Sequence, residues 1–247
     1  MNDHVSRETP SLPSDEVLGR AFPSDRLPRA LAYAEALATD GVIRGLIGPR
    51  EAPRLWERHL LNCAALAEAV PDGASVADIG SGAGLPGLVL AIARPDARVT
   101  LIEPLLRRTT FLEEMVEHLD LDNVEVRRGR ADAVHGVERY DVVTSRAVSA
   151  LGTLLDWSMP LVSPDGALVA MKGSSVQDEV EAARSDLSAW QCAEPEILTV
   201  GTSFLSEPVT LVRVAWSNPS RVGFPPVRTD RPQRGGSQKK KSRRRRP

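Results

Sequence analysis

Residues 76–87 read VADIGSGAGLPG, and the fold is decided there. A short apolar run, Val76-Ala77-Asp78-Ile79, meets glycines at 80, 82 and 84, with a fourth at 87. A helix-like run, Leu88-Val89-Leu90-Ala91-Ile92-Ala93, follows at once. The order is strand, tight glycine turn, helix N-terminus. Glycine serves where backbone must approach a ligand closely or take a positive φ. A helix start offers unpaired N–H groups and a partial positive charge. Together these features predict a nucleotide-like cofactor site at the edge of an open α/β sheet.

Downstream, strands and helices alternate. Strands are expected at 75–79, 98–102, 124–126, 140–145 and 167–171, and helices at about 86–93, 106–119 and 151–161. Such alternation means a mostly parallel sheet with helices on both faces. Residues 195–200 and 209–215 differ: two strands joined by a short polar loop form an antiparallel hairpin that closes the sheet. Upstream, residues 14–70 carry apolar positions at spacings of three and four. They read as a helical N-terminal extension packed on the main domain at 71–216. The polar stretch 1–13 and the Pro-, Gly-, Ser- and Arg-rich stretch 217–247 are expected to be disordered.

The 247 residues are 42% hydrophobic, enough for one good-sized core. No apolar stretch approaches the roughly 18–20 residues of a membrane span. The N-terminus lacks the apolar run of a signal peptide. A soluble, cytoplasmic, monomeric protein is expected. Cys63 and Cys192 make neither a disulfide framework nor a zinc-ligand cluster, so no metal is expected. The net charge of −2 hides an asymmetry. Residues 221–247 hold 11 Arg/Lys and one acid, Asp230, a net of +10; residues 1–220 hold 20 Arg/Lys and 32 Asp/Glu, a net of −12. An acidic body with a basic tail points to a polyanion as the tail's partner. Lysine occurs only at 172 and at 239–241.

Two cofactor patterns overlap in the glycine turn. From Gly82 it satisfies the dinucleotide pattern G-x-G-x-x-G. From Asp78 it satisfies D-x-G-x-G-x-G, the pattern of S-adenosylmethionine-dependent methyltransferases. A parallel sheet ending in a hairpin resembles the Rossmann-like class I methyltransferase fold. A dinucleotide domain would continue into a sixth parallel strand and a substrate domain, for which no room remains. Glu103, 19 residues after Gly84, closes the second strand and can accept both ribose hydroxyls in either family. In methyltransferases, an acid placed like Asp132 accepts from the adenine amino group. Asp78 can orient the loop or reach the cofactor's ammonium. Three acids around one glycine turn suit a cationic cofactor without phosphate better than NAD.

Two stretches carry a more specific resemblance: Asp78 to Gly87, and Tyr140-Asp141-Val142-Val143-Thr144-Ser145-Arg146-Ala147. Together they resemble the bacterial small-subunit ribosomal RNA methyltransferase G family, also called glucose-inhibited division protein B. Arg58-His59-Leu60-Leu61 matches the family's upstream Arg-His motif, although its closing Asp-Ser is Asn62-Cys63 here. Met171-Lys172-Gly173 matches its strand-five Lys-Gly. The resemblance runs from about 30 to 216 and leaves the basic tail outside. It implies transfer of a methyl group to N7 of a guanine in 16S rRNA, the small ribosomal subunit being the partner. It further implies cofactor contacts at Gly80 and Leu85 in the glycine turn, which also holds Gly82, and at Ala131, Asp132 and Arg146 beyond it.

Guanine N7 carries a free lone pair, so this chemistry needs no strong base, and no Ser-His-Asp or Cys-His set is evident. Catalysis then rests on positioning, with the base presented out of its stack. Arg146, at the carboxyl end of the fourth strand, can hold guanine, phosphate or the cofactor carboxylate. Lys172, at the corresponding end of the fifth, reads as an RNA contact. We read these two as the catalytic residues. Arg58 and His59 can line the same cleft as substrate-binding residues. Arg127, Arg128 and Arg130 are either phosphate contacts or a solvated basic face, whereas Trp56 and Phe111 read as core. The alternatives are a methyltransferase with another nucleic-acid or small-molecule acceptor, a cofactor-holding ribosome-assembly factor, and an NAD(P)-dependent enzyme. Deleting 221–247 is predicted to weaken RNA affinity and flatten its salt dependence, because phosphate contacts release counterions. A truncated protein that keeps the full-length salt slope would refute this.

Overall fold

The computed structural model describes residues 11–146 and 149–228. Seven strands form one sheet: β1 (Ser75–Ile79), β2 (Arg98–Glu103), β3 (Val124–Arg128), β4 (Tyr140–Arg146), β5 (Val162–Lys172), β6 (Glu196–Val200) and β7 (Val209–Ala215). Their order is β3-β2-β1-β4-β5-β7-β6. The first five pair in parallel, and β7 runs antiparallel to both β5 and β6. This is the class I methyltransferase arrangement, closed by the expected hairpin. The chain reverses direction in space between β3 and β4, on either side of β1. Ligands of open α/β sheets bind at the carboxyl ends of strands flanking such a switch point.

Eight α-helices cover the sheet among the described residues. Asp15–Ala21 (α1), Leu27–Ala36 (α2) and Leu61–Ala65 (α3) precede it; Gly87–Ala93 (α4) and Leu106–His118 (α5) follow β1 and β2. Leu151–Ser158 (α6), Val176–Ala182 (α7) and Arg184–Ala189 (α8) complete the set. Successive strand side chains enter opposite cores, as the period of two demands. Val76, Val99, Val142 and Val169 pack with α1–α5, while Ala77, Val143, Leu168 and Ala170 pack with α6–α8. Strands buried on both faces read as near-continuous apolar runs, which is why β1, β4 and β5 were legible.

Three local features differ from the periodic reading. The helix expected at 151–161 becomes a 3-10 turn over Met159–Leu161, where Pro160 cannot donate a helical hydrogen bond. The crossover from β5 to β6 consists of α7 and α8, elements that the sequence left unassigned. Trp56–Leu60 forms a π-helical turn ahead of α3, interrupting regular winding within the helical extension.

Residues 217–228, part of the stretch expected to be disordered, are exposed or half-buried and touch the domain at several points. The Ser217 N–H and hydroxyl both donate to Gln191 O (3.0 and 2.8 Å), Arg139 covers the Phe224 ring at 4.7 Å, and Arg228 pairs with Asp156. Residues 11–13 border the cleft described below. The rest of both expected disordered regions lies outside the described residues.

One arginine ties the helical extension to the sheet. Arg94, at the end of α4, donates to the carbonyls of Ala67 (3.2 Å), Val70 (2.6 Å) and Pro71 (3.1 Å), and pairs with Asp72 and Asp96. Only a planar fork serves so many acceptors. Arg94→Lys is therefore expected to lower unfolding stability by about 1–3 kcal/mol, read as a shifted urea midpoint with an unchanged m value.

Candidate active site

The glycine turn joins β1 to α4 at the switch point. Gly80, Gly82 and Gly84 have φ of 69°, 60° and 96°, values that side chains other than glycine rarely adopt. A Cβ on Gly84 would lie 2.5 Å from Leu88 Cδ1 and 2.8 Å from Tyr33 Oη. Over Gly82 the nearest atom to such a Cβ is Gly80 O at 3.8 Å, so this face of the turn is open to a ligand. The Tyr33 hydroxyl, from α2, donates to Ala83 O at 2.6 Å and is fully buried. The N-terminal helices thus hold the turn directly.

Two buried carboxylates hold it from beneath. Asp78 accepts from the Gly87 N–H at 3.0 Å, and its carbonyl accepts from the Ser81 hydroxyl at 2.9 Å. Its Oδ1 is buried with no partner among the described residues. Burial pushes this carboxyl up to about 7 against the pull of the Gly87 and Ser81 hydrogen bonds, with the Glu103 charge adding to the rise. Glu103, 1% exposed, accepts from the N–H groups of Gly82 and Leu105 at 3.0 Å each, and Arg108 stands 3.4 Å away. The N–H groups that a pyrophosphate would seek are therefore occupied by a carboxylate. An open glycine turn with an unpaired buried acceptor and a second buried acid fits a cationic cofactor. Ala131 is buried and Asp132 exposed in the 3-10 turn after β3, while Leu85 is half-buried beside the glycines.

Arg146 ends β4 beside this turn. Its Nη1 donates to Cys63 Sγ at 3.3 Å, and its Nη2 meets His59 Nδ1. The opposite ring nitrogen, Nε2, faces Glu51 Oε2 at 3.1 Å. Burial, reinforced by Arg146, lowers the His59 pKa despite Glu51. A neutral ring with its proton on Nε2, a tautomer assigned from these contacts, satisfies both neighbours. Arg146, His59 and Arg58 border a cleft of about 1400 Å³, together with Lys172 and the loop around Leu205. No glycine-turn residue borders it, so Arg146 is the one predicted cofactor residue that also faces the cleft.

The remaining candidates sort by their partners. Lys172 lines the cleft, but its side chain is only 8% exposed. It donates to Glu179 (2.7 Å) and to Ser149 O (3.0 Å), just past Arg146 in the chain. It braces the segment after β4 instead of standing free for RNA. His59 likewise faces Arg146 and Glu51, whereas Arg58 is exposed. Arg127 is spent on Glu125 and Glu138, which removes it as a phosphate contact; Arg128 and Arg130 are exposed. Trp56 and Phe111 are core, as expected. Sequence reading missed Tyr33, Glu51 and Glu179, and it gave Cys63 no part in this site. Glu51, eight residues before His59, and Glu179, seven after Lys172, stood close enough in sequence to be noticed; Tyr33 did not.

The Asp78 carboxyl has a measurable consequence. Its pKa in the fold, about 7, exceeds the ordinary 3.8. The folded state therefore binds the extra proton between these values. This contribution to stability is fully present below pH 4 and is lost as pH rises toward 7. Comparing thermal or urea unfolding of the wild type and Asp78→Asn across pH 4–8, the wild type should lose ground to the variant by up to about 1.4 kcal/mol per pH unit. Parallel curves would contradict the assignment.

Comparison with known proteins agrees with this geometry. Residues 26–204, well over half of the chain, match the GidB family, described as rRNA small subunit methyltransferase G. A Nocardioides protein named ribosomal RNA small subunit methyltransferase G is 61% identical over 97% of this chain and 94% of its own. Thermobifida fusca and Corynebacterium glutamicum proteins of the same name are 49% and 55% identical. They cover 99% and 77% of this chain, and 100% and 86% of their own. A glycine turn ringed by buried acids, an arginine between it and a cleft, and these matches place the chain in the rRNA small subunit methyltransferase G family.

Proposed function

We propose that the protein transfers a methyl group from S-adenosylmethionine to N7 of a guanine in 16S rRNA. The observation that carries this reading is the position of Arg146. It ends β4 beside the acid-ringed turn and also borders the cleft. S-adenosylmethionine supplies a methyl group on a cationic sulfonium. Asp78, Gly80, Gly82, Leu85, Glu103, Ala131 and Asp132 would hold it. Glu103 would exchange its Gly82 and Leu105 hydrogen bonds, in part, for ribose hydroxyls. The occupied N–H groups and three acids speak against a dinucleotide.

The guanine enters from the cleft, with exposed Arg58 toward the RNA backbone. Bound S-adenosylmethionine would offer its methyl group as the electrophile, and the free lone pair of N7 would accept it. No proton is removed, so no general base is needed. His59 fits this, because its basic nitrogen is turned to Arg146 and not to the cleft. Glu51 and His59 fix the guanidinium on one side and Lys172 braces the chain after it, so the machinery is positional. Lys172 and His59 act here as positioning residues. We further place the protein in the cytoplasm as a monomer acting on the small subunit; no helix among the described residues is long and apolar enough to cross a membrane.

Small subunits incubated with radiolabelled S-adenosylmethionine should acquire label at one guanine, mapped by cleavage at N7-methylguanine. Arg146→Ala should lower kcat/KM about 100-fold or more. Cofactor binding without label on subunits or free rRNA would unseat the reading.

A further inference from the structure

Arg146 is held without being neutralised. Among the described residues no carboxylate contacts it; its Nη1 donates to Cys63 Sγ at 3.3 Å and its Nη2 to His59 Nδ1. Burial pushes the Cys63 thiol up, so the sulfur stays uncharged. The guanidinium is thus oriented by two neutral acceptors, and its charge stays open to a ligand. The acid on this side stands one ring further out: His59 Nε2 faces Glu51 Oε2 at 3.1 Å. An arginine commonly meets a carboxylate directly, fork to fork; here an imidazole stands between them. The ring's side chain is only 12% exposed, so water does not readily replace either partner.

This arrangement holds in one protonation state only. Nδ1 accepts from Arg146 while it carries a lone pair. A proton there turns the acceptor into a donor and sets two cations face to face. The charged groups around the ring pull in both directions. Burial opposes its protonation most, and Arg146 on β4 adds to that; Glu51, just ahead of the Ala52–Arg54 turn, favours it, and Arg58 in the same π-helical turn opposes it. Beyond the arginine lie buried Cys63, Asp78 and Tyr33, each near enough to feel its charge. Lys172 and Glu179, which also line the cleft, pair with each other. The balance holds the ring below the ordinary 6.5, so it is neutral at pH 7 and gains its proton only in acid.

We infer that His59 is a neutral spacer that orients Arg146 without quenching its charge, so that protonation of the ring frees the arginine and shuts down methyl transfer. The inference rests on the proposed methyl transfer and deepens it. The acid limb of the pH profile then belongs to a positioning residue that never touches the reacting atoms. Glu51 sets where that limb falls: without its charge the ring is harder to protonate, and the limb moves to lower pH.

The test compares the wild type with His59→Asn, His59→Ala and Glu51→Gln between about pH 5 and 8. Label transfer to small subunits is read as kcat/KM at saturating S-adenosylmethionine, and the His59 ring is followed by NMR in the free proteins. The chain has four histidines, so the His59 signal is assigned by its loss in His59→Asn. At pH 7 the ring should be neutral and protonated on Nε2. Asp78 and the subunit titrate alike in all four proteins, so each variant is read as its ratio to the wild type. Asparagine can place an acceptor oxygen where Nδ1 stood and does not titrate, so the His59→Asn ratio should rise about tenfold per pH unit below the wild type's His59 pKa. His59→Ala, with no acceptor, should be about tenfold slower or more at neutral pH. Glu51→Gln should move the NMR titration and the kinetic limb to lower pH together, which a merely structural role for either residue would not do. A flat His59→Asn ratio, a limb that stays in place while the Glu51→Gln titration moves, or a charged ring at pH 7 overturns the inference. If His59→Asn does not fold, the Glu51→Gln shift decides. Absence of label from the wild type at every pH would strike the methyl-transfer reading and the spacer with it, whereas label at pH 7 with no limb tied to His59 leaves that reading standing and removes the spacer alone.

Discussion

Everything at the site depends on a buried carboxylate meeting a backbone amide. Asp78, at the end of β1, accepts from the N–H of Gly87, the first residue of α4. A buried carboxyl oxygen without a hydrogen bond is costly whether or not the group is ionised, and the Gly87 N–H satisfies Oδ2 and so ties strand to helix. The seven residues between them have no freedom except to fold into a tight turn. A side chain at Gly87 would strike Leu101 and the Asp78 carboxylate. Tyr33 then closes the turn from the opposite side, through Ala83. The glycine turn is thus assembled by the packing of β1, α4 and α2.

The core of this arrangement was legible because it is local. The apolar run, the glycines and the helical run lie within 18 residues, from Val76 to Ala93. The parallel strands announce themselves because both faces are buried. Glu103 could be placed from position alone, as the end of the neighbouring strand. What could not be read was the side-chain traffic across the switch point. Tyr33 lies 50 residues from its acceptor, and Cys63 lies 83 from Arg146. No pattern within a helix or strand encodes either contact. Lys172 misled for a related reason. A lone lysine at a strand end looks free until α7 is known to bring Glu179 against it.

Acids hold the turn, whereas the cleft lining carries both signs, with Arg54, Arg58, Arg146 and Lys172 beside Glu51, Glu57, Glu179 and Glu207. Arg146 stands between turn and cleft. Its guanidinium is not left to swing: thiol and imidazole fix it on one side, and the next stretch of chain is braced by Lys172. A reaction that needs only alignment is well served by such rigidity.

The π-helical turn at Trp56–Leu60 has a consequence for how this region tolerates change. A π turn holds one residue more than an α turn. Everything before it is out of phase with α3 by about 100° relative to a continuous α-helix. Loss of a single residue anywhere in this short stretch would restore regular winding and swing the Glu51 segment away from His59. Substitutions there would be absorbed as side-chain changes, while a one-residue deletion would act as a rotation. Length in this stretch is constrained more tightly than identity, the reverse of what holds in most surface helices.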